Sequence, residues 1–301
     1  VSIFWRLWAL TSDSMNKVLI SDDLSSKAVE VFRARGIEVD VSTNLDREEL
    51  ISRIGGYDGL AVRSSTKVTA EVLAAGMRLR VVGRAGIGVD NIDVAAATGG
   101  GVVVMNTPFG NSTTTAEHAI ALLLALSRQI PQADRSTQMG KWEKSRFMGV
   151  EVTGKVLGLI GCGNVGSIVA ERAQGLKMRV IVYDPFMTNE HAADLGVERV
   201  ELEILLARAH FISLHVPLTD ATRGMIDETA LAKTQRGVRL INCARGGLIL
   251  EKELKEAIQA GHVAGAALDV FTEEPAVKNE LFGMPEIIAT PHLGAATSEA
   301  Q

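Results

Sequence analysis

Two cysteines in 301 residues, Cys162 and Cys243, cannot build a disulfide framework or the ligand spacing of a zinc site. That scarcity suits a reducing compartment, and a cytoplasmic location with no bound metal is expected. The apolar stretch from Ile3 to Leu10 is far shorter than the roughly 20 residues a bilayer-crossing helix needs, so no membrane role is expected. Positive charge is not in excess either. The 31 Lys and Arg against 36 Asp and Glu leave a net charge of −5, which provides no basic field for nucleic acid. A small anionic substrate would have to be drawn in by a few local cations. Coiled-coil heptads, short repeats and low-complexity tracts are missing as well.

What is present is alternation. Apolar residues make up 47% of the chain, enough for one large core or two medium ones. Residues 1–14 read as an extra segment ahead of a natural start at Met15. From Val18 onward, short apolar runs (VLIS, IEVDVS, DGLAVRS, LRVVGRAG, GVVVMNTP) alternate with helix-like stretches. Such alternation is the signature of parallel βαβ units, and it makes 15–107 one doubly wound domain. A helix expected over 113–135 is apolar on nearly every turn, as if buried between two bodies or at a subunit contact. A second series follows from Lys155, with strands VLGLI, RVIVYD, FISLHVP, VRLINCA, AGAALDV and EIIATPH. The chain stops at Gln301, in what reads as the first turn of a further helix.

The sharpest local signal is Gly161, Gly163 and Gly166, a G-x-G-x-x-G directly after one apolar strand and directly before a helix. Its glycines permit a tight turn, backbone approach to a pyrophosphate, and close packing of helix on strand. The helix start then offers free N–H groups to phosphate, with Asn164 and Val165 lining the loop. The next strand ends in Asp184, whose carboxylate can accept two ribose hydroxyls and would repel a 2′-phosphate, favouring NAD over NADP. The expected fold is therefore α/β, two doubly wound parallel-sheet (Rossmann-like) domains. Cys162, in the same loop, is expected to fill space.

Three further strands end in polar motifs, INCARGG, ALDVFTEEP and ATPHLG, on the side where open α/β sheets bind ligands. Arg245 offers a planar fork for a carboxylate and a neighbouring carbonyl. His292 suits proton exchange near neutral pH, and Glu274 can orient the imidazole and stabilise its charged form. His118, His191, His210, His215 and His262 read as helix-face or core residues.

These motifs, together with VGRAGIGVDNID, VMNTPFGN and TPHLGAATSEAQ, resemble the D-2-hydroxyacid dehydrogenases from about Lys17 to Gln301. The resemblance implies hydride transfer at C2 of a 2-hydroxy acid, D-3-phosphoglycerate being oxidised to 3-phosphohydroxypyruvate at the start of serine biosynthesis. It implies Arg245, Glu274 and His292 as catalytic residues and NAD as cofactor. Asp184 would hold the adenosine ribose and Asp269 the nicotinamide carboxamide. Ile87, Val216, Cys243, Ala244, Gly294 and Ala295 would line the cofactor. Arg63, Ser64, Arg84 and Gly86 would bind the substrate, with Lys144 or Arg146 reaching in from a neighbouring subunit. By the same resemblance 15–107, rejoined by 294–301, is the substrate domain, and 108–293 is the NAD-binding domain. A homodimer or homotetramer would form through the latter. The chain departs from the family pattern at Leu250, where an Asp usually starts a helix (Glu251 can substitute), and at Val216, usually Thr. Other 2-keto acids such as glyoxylate or hydroxypyruvate remain open as substrates. So does a different class, the NAD-sensing scaffold of the C-terminal-binding corepressors, for which NADH binding needs no turnover.

Overall fold

All strand ladders are parallel in the computed structural model, which describes residues 16–108 and 110–300. The segment 1–14 lies outside the described residues. Two units are present, one reaching to Gly110 and one running Asn111–Ala300.

The first unit contains β1 (Lys17–Ile20), α1 (Ser26–Ala34), β2 (Glu38–Val41), α2 (Arg47–Ile54), β3 (Gly59–Val62), α3 (Ala70–Ala75), β4 (Val81–Arg84), α4 (Val94–Gly99) and β5 (Val103–Asn106). Its five strands are ordered β2-β1-β3-β4-β5. A parallel neighbour cannot be reached by a tight turn, so a helix crosses back between each pair of strands. Polar caps start several of these helices. Asp46 and Glu49 form a reciprocal capping box on α2, while Thr69 and Asp93 cap α3 and α4. Leu19, Leu60, Val62 and Val82 are buried in its core with Ile54 and Val72 from the helices.

The second unit contains α5 (Ser112–Arg128), α6 (Ile130–Gln138), β6 (Val156–Ile160), α7 (Asn164–Gly175), β7 (Arg179–Tyr183), α8 (Asn189–Asp194), β8 (Glu198–Arg199), α9 (Leu202–Arg208), β9 (Phe211–Leu214), α10 (Glu228–Ala232), β10 (Val238–Asn242), α11 (Glu251–Gln259), β11 (Val263–Leu268) and β12 (Ile287–Ala289). Its seven strands are ordered β12-β11-β10-β9-β6-β7-β8. The chain runs outward from β6 in both directions, so β6 and β9 flank a switch point. Open α/β sheets bind ligands beyond the strands' carboxyl ends at such a point. Alternate residues of β6 enter two cores, Val156 and Ile160 on one face and Leu157 and Leu159 on the other.

Three expectations need correction. The helix predicted over 113–135 is two helices, because Gln129 turns left-handed (φ 51°) and Pro131 opens α6. In a continuous helix Pro131 would clash with the carbonyl of Ser127; that carbonyl instead accepts the Val150 amide at 2.9 Å. Nor is α5 buried all round. Ala116, Ala119, Leu122, Leu123 and Leu126 form its buried stripe, while Leu124 is exposed. Finally, β8 adds a seventh strand of two residues, too short for any apolar pattern to announce.

Candidate active site

The glycine loop has the backbone its sequence requires. Gly161 sits at φ 90°, and a Cβ there would lie 2.7 Å from the His215 carbonyl oxygen and from Val216 Cγ1. A Cβ on Gly166 would collide with the Gly161 carbonyl. Gly163 is the N-cap of α7 and, having no side chain, offers no capping acceptor. Nothing lies within 4 Å of where its Cβ would be. This is a cradle left clear at a helix N-terminus, and it fits a dinucleotide pyrophosphate. Gly163 and Asn164 are exposed there and Val165 is half-buried.

Asp184 follows β7 and braces the same loop. Its Oδ2 accepts the Cys162 amide at 2.8 Å and its Oδ1 the Phe186 amide at 2.9 Å. A carboxylate has about four acceptor sites, so capacity remains for ribose hydroxyls. Cys162 is buried, and burial with the nearby Asp184 charge pushes its thiol up to about 11. It is a space-filling thiol rather than a nucleophile. Cys243 is driven upward too, first by burial and then by Asp269.

His292 and Glu274 are brought together. His292 Nδ1 lies 2.7 Å from Glu274 Oε2, and Glu274 Oε1 accepts the Phe271 amide at 3.0 Å. Burial opposes ionisation of Glu274, but the bonds from His292 and Phe271 outweigh it and hold the carboxyl below its usual range. His292 itself has φ 56°, a left-handed backbone that a residue with a Cβ adopts at a cost. Its neighbours hold it there. Asp269 directly follows β11, its carboxylate fully buried. Oδ1 accepts the Leu293 amide at 2.7 Å and the Thr290 hydroxyl at 2.6 Å, and Oδ2 accepts the Gly294 amide at 2.8 Å. The Asp269 carbonyl also accepts the His292 amide at 2.9 Å. Gly294 is buried and Ala295 half-buried in the same turn.

Arg245 follows β10 in a loop organised by Asn242, which sequence reasoning missed. Asn242 Oδ1 accepts the Ala244 amide at 3.0 Å, and its Nδ2 donates to the Arg245 carbonyl at 2.9 Å. Arg245 Nη1 donates to the Ala244 carbonyl at 2.6 Å. A side chain on Gly246 would run into the Phe271 carbonyl, so that glycine lets the Arg245 loop pass against the segment leading to Glu274. Glu251 does not replace the missing helix cap. The N-cap of α11 is Leu250, with no side-chain bond. Instead Glu251 accepts the Thr272 amide at 2.8 Å and Asn279 Nδ2 at 2.7 Å, which ties down the loop that carries Glu274.

In the first unit, Arg63 and Ser64 follow β3 and Arg84 ends β4. Arg84 Nε donates to the Arg63 carbonyl at 3.3 Å. Gly86 lies beside the Arg84 guanidinium, where a Cβ would clash, and the Ile87 carbonyl accepts Asn106 Nδ2 at 2.6 Å. Two further residues, absent from the sequence argument, hold this loop. Buried Asp22 accepts the Arg63 amide at 2.6 Å and the Thr66 hydroxyl at 2.7 Å, and Asn91 Nδ2 bonds the Thr66 carbonyl at 2.7 Å.

Two placements differ from expectation. The residues 294–300 group with the second unit rather than returning to the first; Thr115 Oγ1 donates to the Gly294 carbonyl at 2.8 Å. His118 is no bland helix-face residue, since its Nε2 lies 3.2 Å from Asp269 Oδ1. His215 does behave as a core residue, its imidazole pushed down to about 4 by burial.

Comparison with known proteins agrees with this geometry. Residues 120–294 match the family model of the D-isomer specific 2-hydroxyacid dehydrogenase, NAD binding domain. The D-3-phosphoglycerate dehydrogenase of Archaeoglobus fulgidus is 50% identical over 286 residues, covering 95% of this chain and 54% of that protein. The D-3-phosphoglycerate dehydrogenase of Homo sapiens is 47% identical, covering 96% of this chain and 54% of that protein. The chain thus spans about half the length of the curated relatives it matches. Among solved structures, a glyoxylate reductase from Paecilomyes thermophila superposes with a TM-score of 0.88 at 30% identity, covering 96% of this chain and 91% of that one. The chain belongs to the D-isomer-specific 2-hydroxyacid dehydrogenase family.

Proposed function

We propose that the chain is an NAD-dependent dehydrogenase that oxidises D-3-phosphoglycerate to 3-phosphohydroxypyruvate. The observation that carries this is the His292–Glu274 couple, 2.7 Å apart in the same unit as the glycine cradle and Asp184. A scaffold that only senses dinucleotide would need the cradle but not the couple. NAD, when bound, supplies the hydride acceptor for C2. His292, with Nδ1 engaged by Glu274, has Nε2 as the nitrogen that takes the C2 hydroxyl proton as the C2–H bond breaks and the carbonyl forms. In reduction the same nitrogen returns the proton to the carbonyl oxygen. Glu274, held ionised, stabilises the imidazolium formed in the oxidative direction. Arg245 holds the carboxylate and polarises the carbonyl.

Asp184 selects the unphosphorylated adenosine ribose, and Asp269 takes the nicotinamide carboxamide. Ile87, Val216, Cys243, Ala244, Gly294 and Ala295 line the cofactor. The Arg63–Ser64 loop with Arg84 and Gly86 binds the anionic substrate, its phosphate included. The phosphorylated substrate is favoured by the names of the relatives near 50% identity. Assembly through the second unit is part of the same proposal, supported by Trp142 and Met148, 87% and 79% exposed on that unit. Among the described residues no helix is long and apolar enough to cross a membrane, and a cytoplasmic enzyme is proposed.

NADH consumption with a panel of 2-keto acids tests the reading. Turnover that falls in His292→Ala supports it; NADH binding without turnover of any 2-keto acid would move the assignment to the scaffold. Asp184→Ala should narrow the preference for NAD over NADP, and an unchanged ratio would contradict the ribose contact.

A further inference from the structure

The first turns of α5 dock against the turn that presents His292. Thr114, Thr115 and His118, spaced to share one helix face, all reach it. Thr115 Oγ1 donates to the Gly294 carbonyl at 2.8 Å, Thr114 Oγ1 lies 3.3 Å from Thr297 Oγ1, and His118 Nε2 lies 3.3 Å from Thr290 Oγ1. His118 Nε2 is also 3.2 Å from Asp269 Oδ1, with side chains 19% and 0% exposed. The proton on that nitrogen follows from its neighbours. Asp269 is held ionised and only accepts, and the Thr290 hydroxyl proton is committed to Asp269 at 2.6 Å. Nε2 must therefore be a donor, whatever the state of Nδ1.

Asp269 Oδ1 thus gathers Thr290, Leu293 and His118, while Oδ2 takes Gly294. These contacts bracket His292 on both sides, and His292 is held at φ 56°. A buried carboxylate whose partners are removed is free to rotate, and a left-handed residue relaxes unless its surroundings fix it. We propose that His118 is a positioning residue: its Nε2–H fixes Asp269 and Thr290, and through them the turn that aims His292. The inference rests on the dehydrogenase reading, in which His292 transfers the proton.

The test compares His118→Leu, which keeps apolar volume and loses the donor, with His118→Gln, which restores an N–H near the same place. In the leucine variant kcat should fall about tenfold, short of the roughly 100-fold that a 1 Å misplacement costs. KM for the keto acid should stay within about twofold, because His118 bonds neither Arg245 nor the Arg63–Ser64 loop, while KM for NADH should rise a few-fold through Asp269. The glutamine variant should recover most of kcat. Exchange of the Leu293 and Gly294 amides should quicken about tenfold in the leucine variant and slow again with glutamine. Wild-type turnover with leucine, or glutamine as slow as leucine, would overturn the proposal. If His118→Leu does not fold, His118→Asn, too short to reach Asp269, takes its place, and equal rates for Asn and Gln would overturn it. If the wild type turns over no 2-keto acid, the dehydrogenase reading has failed, and amide exchange alone decides. Quickened exchange with leucine, reversed by glutamine, then supports the role in the turn, and unchanged exchange defeats it.

Discussion

Each unit pins a candidate-site loop with one buried aspartate, and the two aspartates are dressed differently. In the first unit Asp22 accepts the Arg63 and Thr66 amides and the Thr66 hydroxyl, all neutral donors. In the second, Asp269 accepts two amides and a hydroxyl and adds an ionisable partner, His118. The first arrangement suits a loop that has only to hold still and offer donors to an anion. The second surrounds His292, the residue proposed to exchange the proton. A buried carboxylate left with unmatched donors is expensive, so either staple is hard to remove without displacing its loop.

The comparison breaks most visibly at His292. His292→Ala should lower kcat roughly 100-fold or more with NADH affinity kept, as measured by steady-state kinetics and fluorescence titration. Next come the staples themselves. Asp269→Asn turns an amide N–H₂ toward existing donors and should cost about 2–4 kcal/mol in urea unfolding, with kcat falling. Asp22→Asn should cost about 1–3 kcal/mol and raise KM for the keto acid, leaving NADH affinity unchanged. Identical kinetic signatures for the two would dissolve the distinction between the loops.

Glu274→Gln keeps the shape of the contact at His292 Nδ1 and removes its charge, so kcat should fall about tenfold in steady-state kinetics. Unchanged turnover would make Glu274 a packing residue.

The smallest effect concerns stability alone. His215 is neutral in the folded state down to about pH 4, whereas the unfolded chain takes up that proton near 6.5. The unfolded state is thus favoured first, and stability should fall between pH 6.5 and 4, by about 2 kcal/mol at pH 5. His215→Gln should flatten that fall. Asp269 and Glu274, with lowered values, act below it, their stabilisation being complete above the ordinary carboxylate range and lost in stronger acid.

What the sequence disclosed depended on the kind of constraint. Gly161, Gly166 and Gly246 are legible because a side chain at each would meet backbone. His292 and Glu274 are legible because they close strand-end motifs. His118 was passed over because Asp269 lies far along the chain, and nothing local to AEHAIA marks the meeting. Asn242 and Asp22 were missed for a related reason, since each is polar within an apolar strand or at its end and reads equally well as a cap. The break at Gln129 was signalled by Pro131, but the apolar pattern continued across it and prevailed. Glu251 reads as a cap for its own helix, but its carboxylate reaches instead to Thr272 and Asn279.

The central claim, a dehydrogenase for a phosphorylated 2-hydroxy acid, is tested most directly by NADH oxidation with 3-phosphohydroxypyruvate beside unphosphorylated hydroxypyruvate. The kcat/KM should favour the phosphorylated substrate by about 100-fold or more, roughly 2.7 kcal/mol, with that advantage lost in Arg63→Ala or Arg84→Ala. Equal or reversed values would contradict it, leaving a reductase of simple 2-keto acids in which the two arginines recognise no phosphate.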